Sequence, residues 1–103
     1  MDDSNQIEVP PSFLALYSTP SGTRLIQPMA FVRERYELCE DLAQMLVDQA
    51  STAQFKSGAP EVEVLRAMRE GLRAEGSAVE PPEANWVVLR LAELLQWEGP
   101  EGD

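Results

Sequence analysis

The sequence predicts an all-α protein of three helices, over about residues 28–56, 60–75 and 82–97, behind a proline-rich, extended N-terminal arm. Prolines crowd the first quarter of the chain and then leave three proline-free stretches, each followed by a glycine. Proline is tolerated in the first turn of a helix and disrupts its interior, whereas glycine suits the left-handed cap at a helix end. Apolar residues recur within each stretch at helical spacing, which agrees with the other two signals.

The first predicted helix carries a wide apolar face. At about 100° per residue, that face contains Val32, Tyr36, Cys39, Leu42, Ala43, Leu46, Ala50 and Ala53, with Leu38 and Met45 at its border. Cys39 lies at the centre of the face. We expect Cys39 to be a small buried hydrophobe, because a reactive thiol needs an exposed and electropositive setting.

The second and third predicted helices each have an apolar core stripe. These stripes are Val64, Leu65, Met68 and Leu72 in the second helix, and Ala84, Val87, Val88, Leu91, Leu94 and Leu95 in the third. Arg66, Arg69 and Arg73 of the second helix are expected to face water. They alternate with acids at helical spacing, and Glu63 and Glu70 lie within one turn and can pair with them locally.

The N-terminal arm, residues 12–27, is expected to be either extended or paired as a short hairpin of residues 13–17 with 24–27. Thr19 to Thr23 reads as a turn, because Pro20 fixes φ and Gly22 can take a positive φ. We expect the arm to lie on the helices. Residues 12–98 would then form one helical domain, and residues 1–11 and 99–103 are predicted to be disordered.

The composition excludes several classes of catalytic and binding site. The 103 residues include no histidine and one cysteine, which removes the commonest general base, most catalytic zinc sites and any internal disulfide. A P-loop needs a glycine-rich loop that ends in lysine, and Lys56 follows Phe55 instead. We therefore predict no catalytic residues, no metal site and no cofactor, and a protein that is not an enzyme.

The charge bounds the possible partners. The 18 acidic and 8 basic residues give a net charge of −10, which opposes direct binding to nucleic acid or to an anionic membrane. The chain opens on Met1-Asp2-Asp3 without a signal-like apolar segment, and a lone thiol suits a reducing compartment. We expect a cytoplasmic protein, monomeric or weakly dimeric, with an unidentified protein partner. A basic partner is compatible with its charge.

Two stretches of the sequence carry a family resemblance. They are Arg35-Tyr36-Glu37-Leu38-Cys39-Glu40-Asp41-Leu42-Ala43-Gln44-Met45-Leu46 and Trp86-Val87-Val88-Leu89-Arg90-Leu91-Ala92-Glu93-Leu94-Leu95. They resemble a family of short, acidic, uncharacterised bacterial proteins that sometimes carries the label "ATPase with chaperone activity". The resemblance covers about half of the chain and implies a bacterial, cytoplasmic, helical protein of unassigned role. It brings no catalytic residues, and the label conflicts with the missing P-loop.

Two surfaces are candidates for binding a partner. Trp86, Leu89 and Trp97 lie opposite the core stripe of the third helix, and tryptophan is enriched in interface hot spots. Phe13 and Tyr17 of the arm are expected either to cover this patch or to join it as a partner surface.

The second candidate is an acidic ridge on the first helix, formed by Glu34, Glu37, Asp41 and Asp48. Such a ridge is most often a solvated helix face, but it can dock a basic partner.

The leading functional hypothesis is therefore a small acidic, non-enzymatic protein-interaction or regulatory protein. The alternative is a nucleic-acid mimic, in which carboxylates replace phosphates and so inhibit a DNA- or RNA-binding protein. A carboxylate enzyme is a third hypothesis, and it needs a recessed pair of acids with shifted pKa values.

Overall fold

The computed structural model describes residues 8–101. Its helices are α1 (Pro11–Leu14), α2 (Met29–Ser57), α3 (Glu61–Arg73) and α4 (Pro81–Leu95), and a 3-10 turn over Ala15–Tyr17 follows α1. The all-α prediction is confirmed for this part of the chain, where β pairing is confined to one isolated bridge. The three long helices begin and end within two residues of their predicted bounds, and α1 is an addition to them. No helix within residues 8–101 has the length and hydrophobicity needed to cross a membrane.

The chain divides into two compact units, residues 1–38 and 39–103, and the boundary falls inside α2. The first unit contains α1, the turn region and the beginning of α2. The second contains the rest of α2 together with α3 and α4. The predicted domain of residues 12–98 is thus distributed over both units.

The first unit has an aromatic cluster at its centre. Phe13 is fully buried, and its ring centroid lies 5.9 Å from that of Tyr17 and 5.7 Å from that of Tyr36. Tyr17 in turn meets Phe31 edge-on at 5.8 Å. Aromatic pairs at these distances contribute about 0.5–1.5 kcal/mol beyond the burial of their area. The aromatic residues of the arm are therefore anchored within the first unit by the first turns of α2.

The arm is helical where an extended chain or a hairpin was expected. Pro11 occupies the first position of α1, where the fixed φ of proline suits a helix and its missing N–H is not needed. The N–H groups of Phe13 and Leu14 both donate to the carbonyl of Pro10, at 3.0 Å. The two prolines thus begin a helical turn, whereas the predicted arm was extended at these residues.

The predicted turn at residues 19–23 is present. Gly22 has a φ of 78°, and its N–H donates to the carbonyl of Thr19 at 2.7 Å. Ser18 and Leu25 form the isolated bridge, and the N–H of Ile26 donates to the carbonyl of Tyr17 at 2.7 Å. The hairpin therefore exists only as this short pairing beside the turn.

The described part of the second unit contains an apolar core cluster. Its buried members are Ala50, Val64, Leu65, Val88, Leu91 and Ala92. Partly buried side chains pack around them, among them Leu46, Met68, Leu72, Leu95 and Trp97. Most of these residues come from the apolar stripes that helical periodicity identified. Cys39 is also fully buried, as predicted.

The termini of α4 are fixed by side-chain and backbone caps. Glu80 and Glu83 form a reciprocal capping box, in which the Glu83 carboxylate accepts the N–H of Glu80 at 2.9 Å. At the other end Gln96 adopts a left-handed conformation with φ of 61°, and the N–H of Trp97 donates to the carbonyl of Ala92 at 2.9 Å. Trp97 therefore lies beyond the helix, although our prediction placed it on the helix.

The predicted disorder of the termini concerns residues 1–11 and 99–103, of which 1–7 and 102–103 lie outside the described residues. In the described parts, Val9 and Pro100 are buried. Gly99 lies so close to α4 that an added Cβ atom would be 2.9 Å from Cδ2 of Leu89. The segment after α4 therefore packs against that helix. Gly99 allows the main chain to come close to Leu89, whereas the sequence predicts a glycine that caps the helix.

Candidate functional site

An exposed stripe on α2 is the most unusual surface of the second unit. It consists of Asp41, Met45, Asp48, Thr52 and Phe55, which we call the α2 stripe, and all five residues are exposed. Met45 is 73% exposed and Phe55 is 86% exposed. Their spacing of four, three, four and three residues places them along one side of a helix, where neighbours three and four apart are in contact.

The sequence pattern of the α2 stripe continues in the first unit. Phe31, Glu34 and Leu38 extend the same spacing toward the start of α2, and all three are exposed. Phe31 is 40% exposed and Leu38 is 38% exposed. Along the whole helix an exposed apolar residue thus alternates with an exposed carboxylate, apart from Thr52.

All four residues of the predicted acidic ridge are exposed, and two of them, Asp41 and Asp48, belong to the α2 stripe. Within residues 8–101, no lysine or arginine forms a salt bridge with any of the four. These carboxylates are therefore available to a basic partner.

Periodicity alone missed the apolar part of the stripe. Leu38 and Met45 are predicted to lie at the border of the buried face, but both are exposed in the structure. The signal was present as a second period of three and four residues beside the core stripe.

Glu40, which neighbours Asp41, has a different role. Both oxygens of the Glu40 carboxylate accept hydrogen bonds from the Arg90 guanidinium, at 2.9 Å from Nε and 3.0 Å from Nη2. Gln44 donates a further hydrogen bond to Glu40 at 2.8 Å. The hydrogen bonds from Arg90 hold the pKa of Glu40 below its usual value against the opposing effect of burial, and the contact with Glu40 raises the pKa of Arg90 further. This pair joins α2 to α4 within the second unit.

The predicted apolar patch is mostly covered. Trp86 is buried at 9% exposure, Trp97 is half-buried against the core, and Leu89 is 41% exposed. Phe13 and Tyr17 belong to the aromatic cluster of the first unit. Leu89 alone among these five has an exposed side chain. That they form a partner surface stays a prediction.

The arginines of α3 divide into two groups. Arg66 and Arg73 pair with Glu63 and Glu70, at 2.7 and 3.4 Å, as the spacing predicted. Arg69, however, is 7% exposed, so the expectation that it faces water is wrong. Its Nη1 donates to the side-chain oxygen of Asn85 at 3.1 Å and to the carbonyl of Glu101 at 3.2 Å. Arg69 therefore connects α3, α4 and the segment that follows α4, and helical periodicity had no means to detect these distant acceptors.

The first unit contains a separate open groove of about 590 Å³. Its lining is mainly apolar, with Pro11, Leu14, Pro20, Leu25 and Met29, and it also includes the polar residues Ser18, Thr19, Thr23 and Arg24. The volume falls within the range of small-molecule sites.

Neither chemistry nor comparison assigns a catalytic role. Among residues 8–101 no group of three or more acidic or cysteine side chains is placed to hold a metal ion. No family model, curated protein or solved structure matches the chain.

Proposed function

We propose that this chain is a small acidic, non-enzymatic protein that acts by binding another protein, as an interaction module or regulator. The observation that carries the proposal is the α2 stripe, in which large apolar side chains and carboxylates are exposed together on one helix face. A helix face needed only for solubility would be polar throughout. A cytoplasmic setting is part of the proposal and rests on the sequence, and a bacterial setting rests on the family resemblance alone.

The energetics favour binding at this face over leaving it in water. Full burial of a methionine or phenylalanine side chain contributes about 1.5–3 kcal/mol each. Met45 and Phe55 are the two most exposed large hydrophobic residues in the described part of the chain, so they gain most from a partner. Carboxylates beside them would speed the encounter with a basic surface and disfavour acidic ones.

A nucleic-acid mimic remains the second candidate, because all four carboxylates of the acidic ridge are exposed. A mimic presents charge in place of phosphates and has no use for apolar side chains between its carboxylates. Met45 and Phe55 interrupt the charge, and they are the reason we place mimicry second.

Site-specific crosslinking tests the proposal. A photoreactive amino acid at Thr52, inside the α2 stripe, is expected to crosslink one protein in extract of the native cell. The same group at Glu75, which is exposed in the turn after α3, is the matched control. A crosslinked protein that is specific to Thr52 and is lost in Met45→Ser/Phe55→Ser supports the proposal. Equal crosslinking from both positions, or none, contradicts it.

Competition separates the two candidates. If duplex DNA or RNA displaces this chain from the crosslinked protein, and Met45→Ser/Phe55→Ser has no effect on the yield, the mimic hypothesis is correct. If nucleic acid does not compete and the double variant loses the crosslink, the protein-interaction hypothesis is correct.

A further inference from the structure

We propose that the partner seated on the α2 stripe is an amphipathic helix in which apolar residues alternate with lysine or arginine, packed lengthwise as in a coiled coil. This inference rests on the proposed function and names the class of its partner. It follows from the spacing of the stripe, the chemistry of each position and the exclusion of other occupants.

The spacing is that of a coiled-coil seam. In a heptad repeat the two seam positions, called a and d, alternate at intervals of three and four residues. In the α2 stripe, Met45 and Thr52 occupy a positions, and Asp41, Asp48 and Phe55 occupy d positions. The stripe extends over about 21 Å of helix at 1.5 Å per residue. Leu38 and Phe31, at a, and Glu34, at d, continue the same assignment in the sequence of the first unit.

The chemistry of the seam specifies its complement. A carboxylate at two successive d positions is unfavourable against an apolar residue, since burying an unpaired charge is costly. A lysine or arginine opposite Asp41 and Asp48 would pair with each charge, while an apolar residue opposite Met45 would be buried with it. The partner helix therefore carries basic and apolar residues at the same three- and four-residue spacing.

A second copy of this chain does not fit the seam. In a parallel pair, Asp41 and Asp48 would each face the same residue of the other copy, and like charges at an interface disfavour association. In an antiparallel pair, these carboxylates would instead lie against apolar residues such as Met45. Either arrangement leaves the charges without a basic partner.

Other occupants lack the required charge. The segments of this chain outside the described residues, 1–7 and 102–103, contain acids and no lysine or arginine. They cannot neutralise Asp41 and Asp48. Nucleic acids and anionic membranes carry the same sign of charge as the stripe and are repelled by it.

Two designed peptides test the proposal directly, one for each orientation of the pair. Each is a fluorescently labelled helix of about four heptads. One has leucine at a and lysine at d for a parallel pair, and the other has lysine at a and leucine at d for an antiparallel pair. We expect one of them to bind the full chain, and at least tenfold more weakly when salt rises from about 50 to about 300 mM. Matched peptides with glutamate in place of lysine should not bind.

Charge reversal in the chain supplies the second measurement. Asp41→Lys/Asp48→Lys should abolish binding of the lysine peptide and create binding of the glutamate peptide. Glu75→Lys/Glu98→Lys changes the net charge equally at exposed positions outside the stripe, and should retain the original preference. Circular dichroism of both variants verifies that the helices remain.

The proposal is overturned if neither lysine peptide binds, or if both double variants weaken peptide binding equally. It is also overturned if the chain self-associates with rising concentration and Met45→Glu removes that self-association. If the Thr52 crosslink is specific while both peptides fail, the chain binds a protein by another geometry and only this inference falls. If the crosslink also fails, the proposed function falls with it.

Discussion

At the scale of single residues, the pairing of Glu40 with Arg90 is a contact that could not be predicted from the sequence. The two residues are 50 positions apart, and each lies on a polar helix side that periodicity assigns to solvent. Their side chains are only 19% and 32% exposed, and the guanidinium contacts both carboxylate oxygens. Such a fork-to-fork pair is stronger and more specific than a typical surface ion pair.

Replacement of Glu40 by glutamine should lower the free energy of unfolding by about 1–2 kcal/mol at neutral pH. The pKa of Glu40 in the folded protein is below its ordinary value of 4.5, so the contribution of its charge is complete above that pH. It is lost as the pH falls through the folded-state pKa. Urea denaturation over an acidic pH series should therefore show the difference between wild type and Glu40→Gln closing toward low pH.

The matched control for that measurement is Glu93→Gln. Glu93 also contacts Arg90, at 2.9 Å, but its side chain is 71% exposed. Its loss should change the free energy of unfolding by less than the loss of Glu40 does. An equal effect of the two substitutions, or a pH-independent effect of Glu40→Gln, would show that the tertiary pairing contributes nothing specific.

Cys39 is fully buried, so its thiol should react slowly with a thiol reagent until the protein unfolds. Cys39→Ser should destabilise the fold by about 1–3 kcal/mol, because a hydroxyl would enter an apolar layer. Labelling rates in buffer and in denaturant measure the first expectation, and thermal unfolding measures the second. Rapid labelling of the native protein would be inconsistent with the burial of this part of α2.

At the scale of elements, prolines and apolar periodicity together defined the three long helices, because both signals are local. What they missed depends on tertiary contacts or on the conformation of one residue. The burial of Arg69 could not be predicted, because its acceptors, Asn85 and Glu101, are distant in the sequence. Trp97 lies outside α4 because Gln96 turns left-handed, and glutamine gives no signal for that conformation. Leu38 and Met45 are exposed beside the buried face, and periodicity alone cannot distinguish an exposed apolar residue at that border from one that the core covers.

The capping box of α4 should contribute measurably to stability. Glu80→Ala and Glu83→Ala each remove one half of the reciprocal bonds and should cost about 0.5–2 kcal/mol. Glu83 should cost more than Glu80, because its carboxylate is buried at 1% exposure. Chemical denaturation of the two variants measures the difference. A larger loss from Glu80 would indicate that the buried carboxylate is not the stronger half.

The C-terminal cap of α4 offers a stabilising substitution. Gln96 has a φ of 61°, a conformation that costs a residue with a Cβ atom about 1–2 kcal/mol and costs glycine little. Gln96→Gly should therefore raise the free energy of unfolding by up to about 1 kcal/mol, after the added flexibility of the unfolded chain. Gln96→Ala is the control and should not stabilise the protein. A rise in the melting temperature for alanine but not for glycine would contradict this account of the cap.

At the scale of the whole molecule, the net charge of −10 and the single lysine disfavour the binding of anionic ligands. We expect no hydrolysis of ATP and no tight binding of it, because the sequence contains no P-loop to hold a triphosphate. Isothermal titration calorimetry with magnesium and ATP should give no binding heat. A stoichiometric isotherm would overturn this prediction.

The hydrogen bonds of Arg69 determine which changes the segment after α4 can tolerate. Its guanidinium donates a hydrogen bond to the main-chain carbonyl of Glu101, a group that every amino acid has. This hydrogen bond therefore does not depend on the side chain at position 101, but it does depend on the number of residues between α4 and that carbonyl. Substitutions at this position should cost little stability. A one-residue deletion after Trp97 would displace the carbonyl and remove one of the two acceptors of Nη1, in a buried cation whose Nε already has no hydrogen-bond partner.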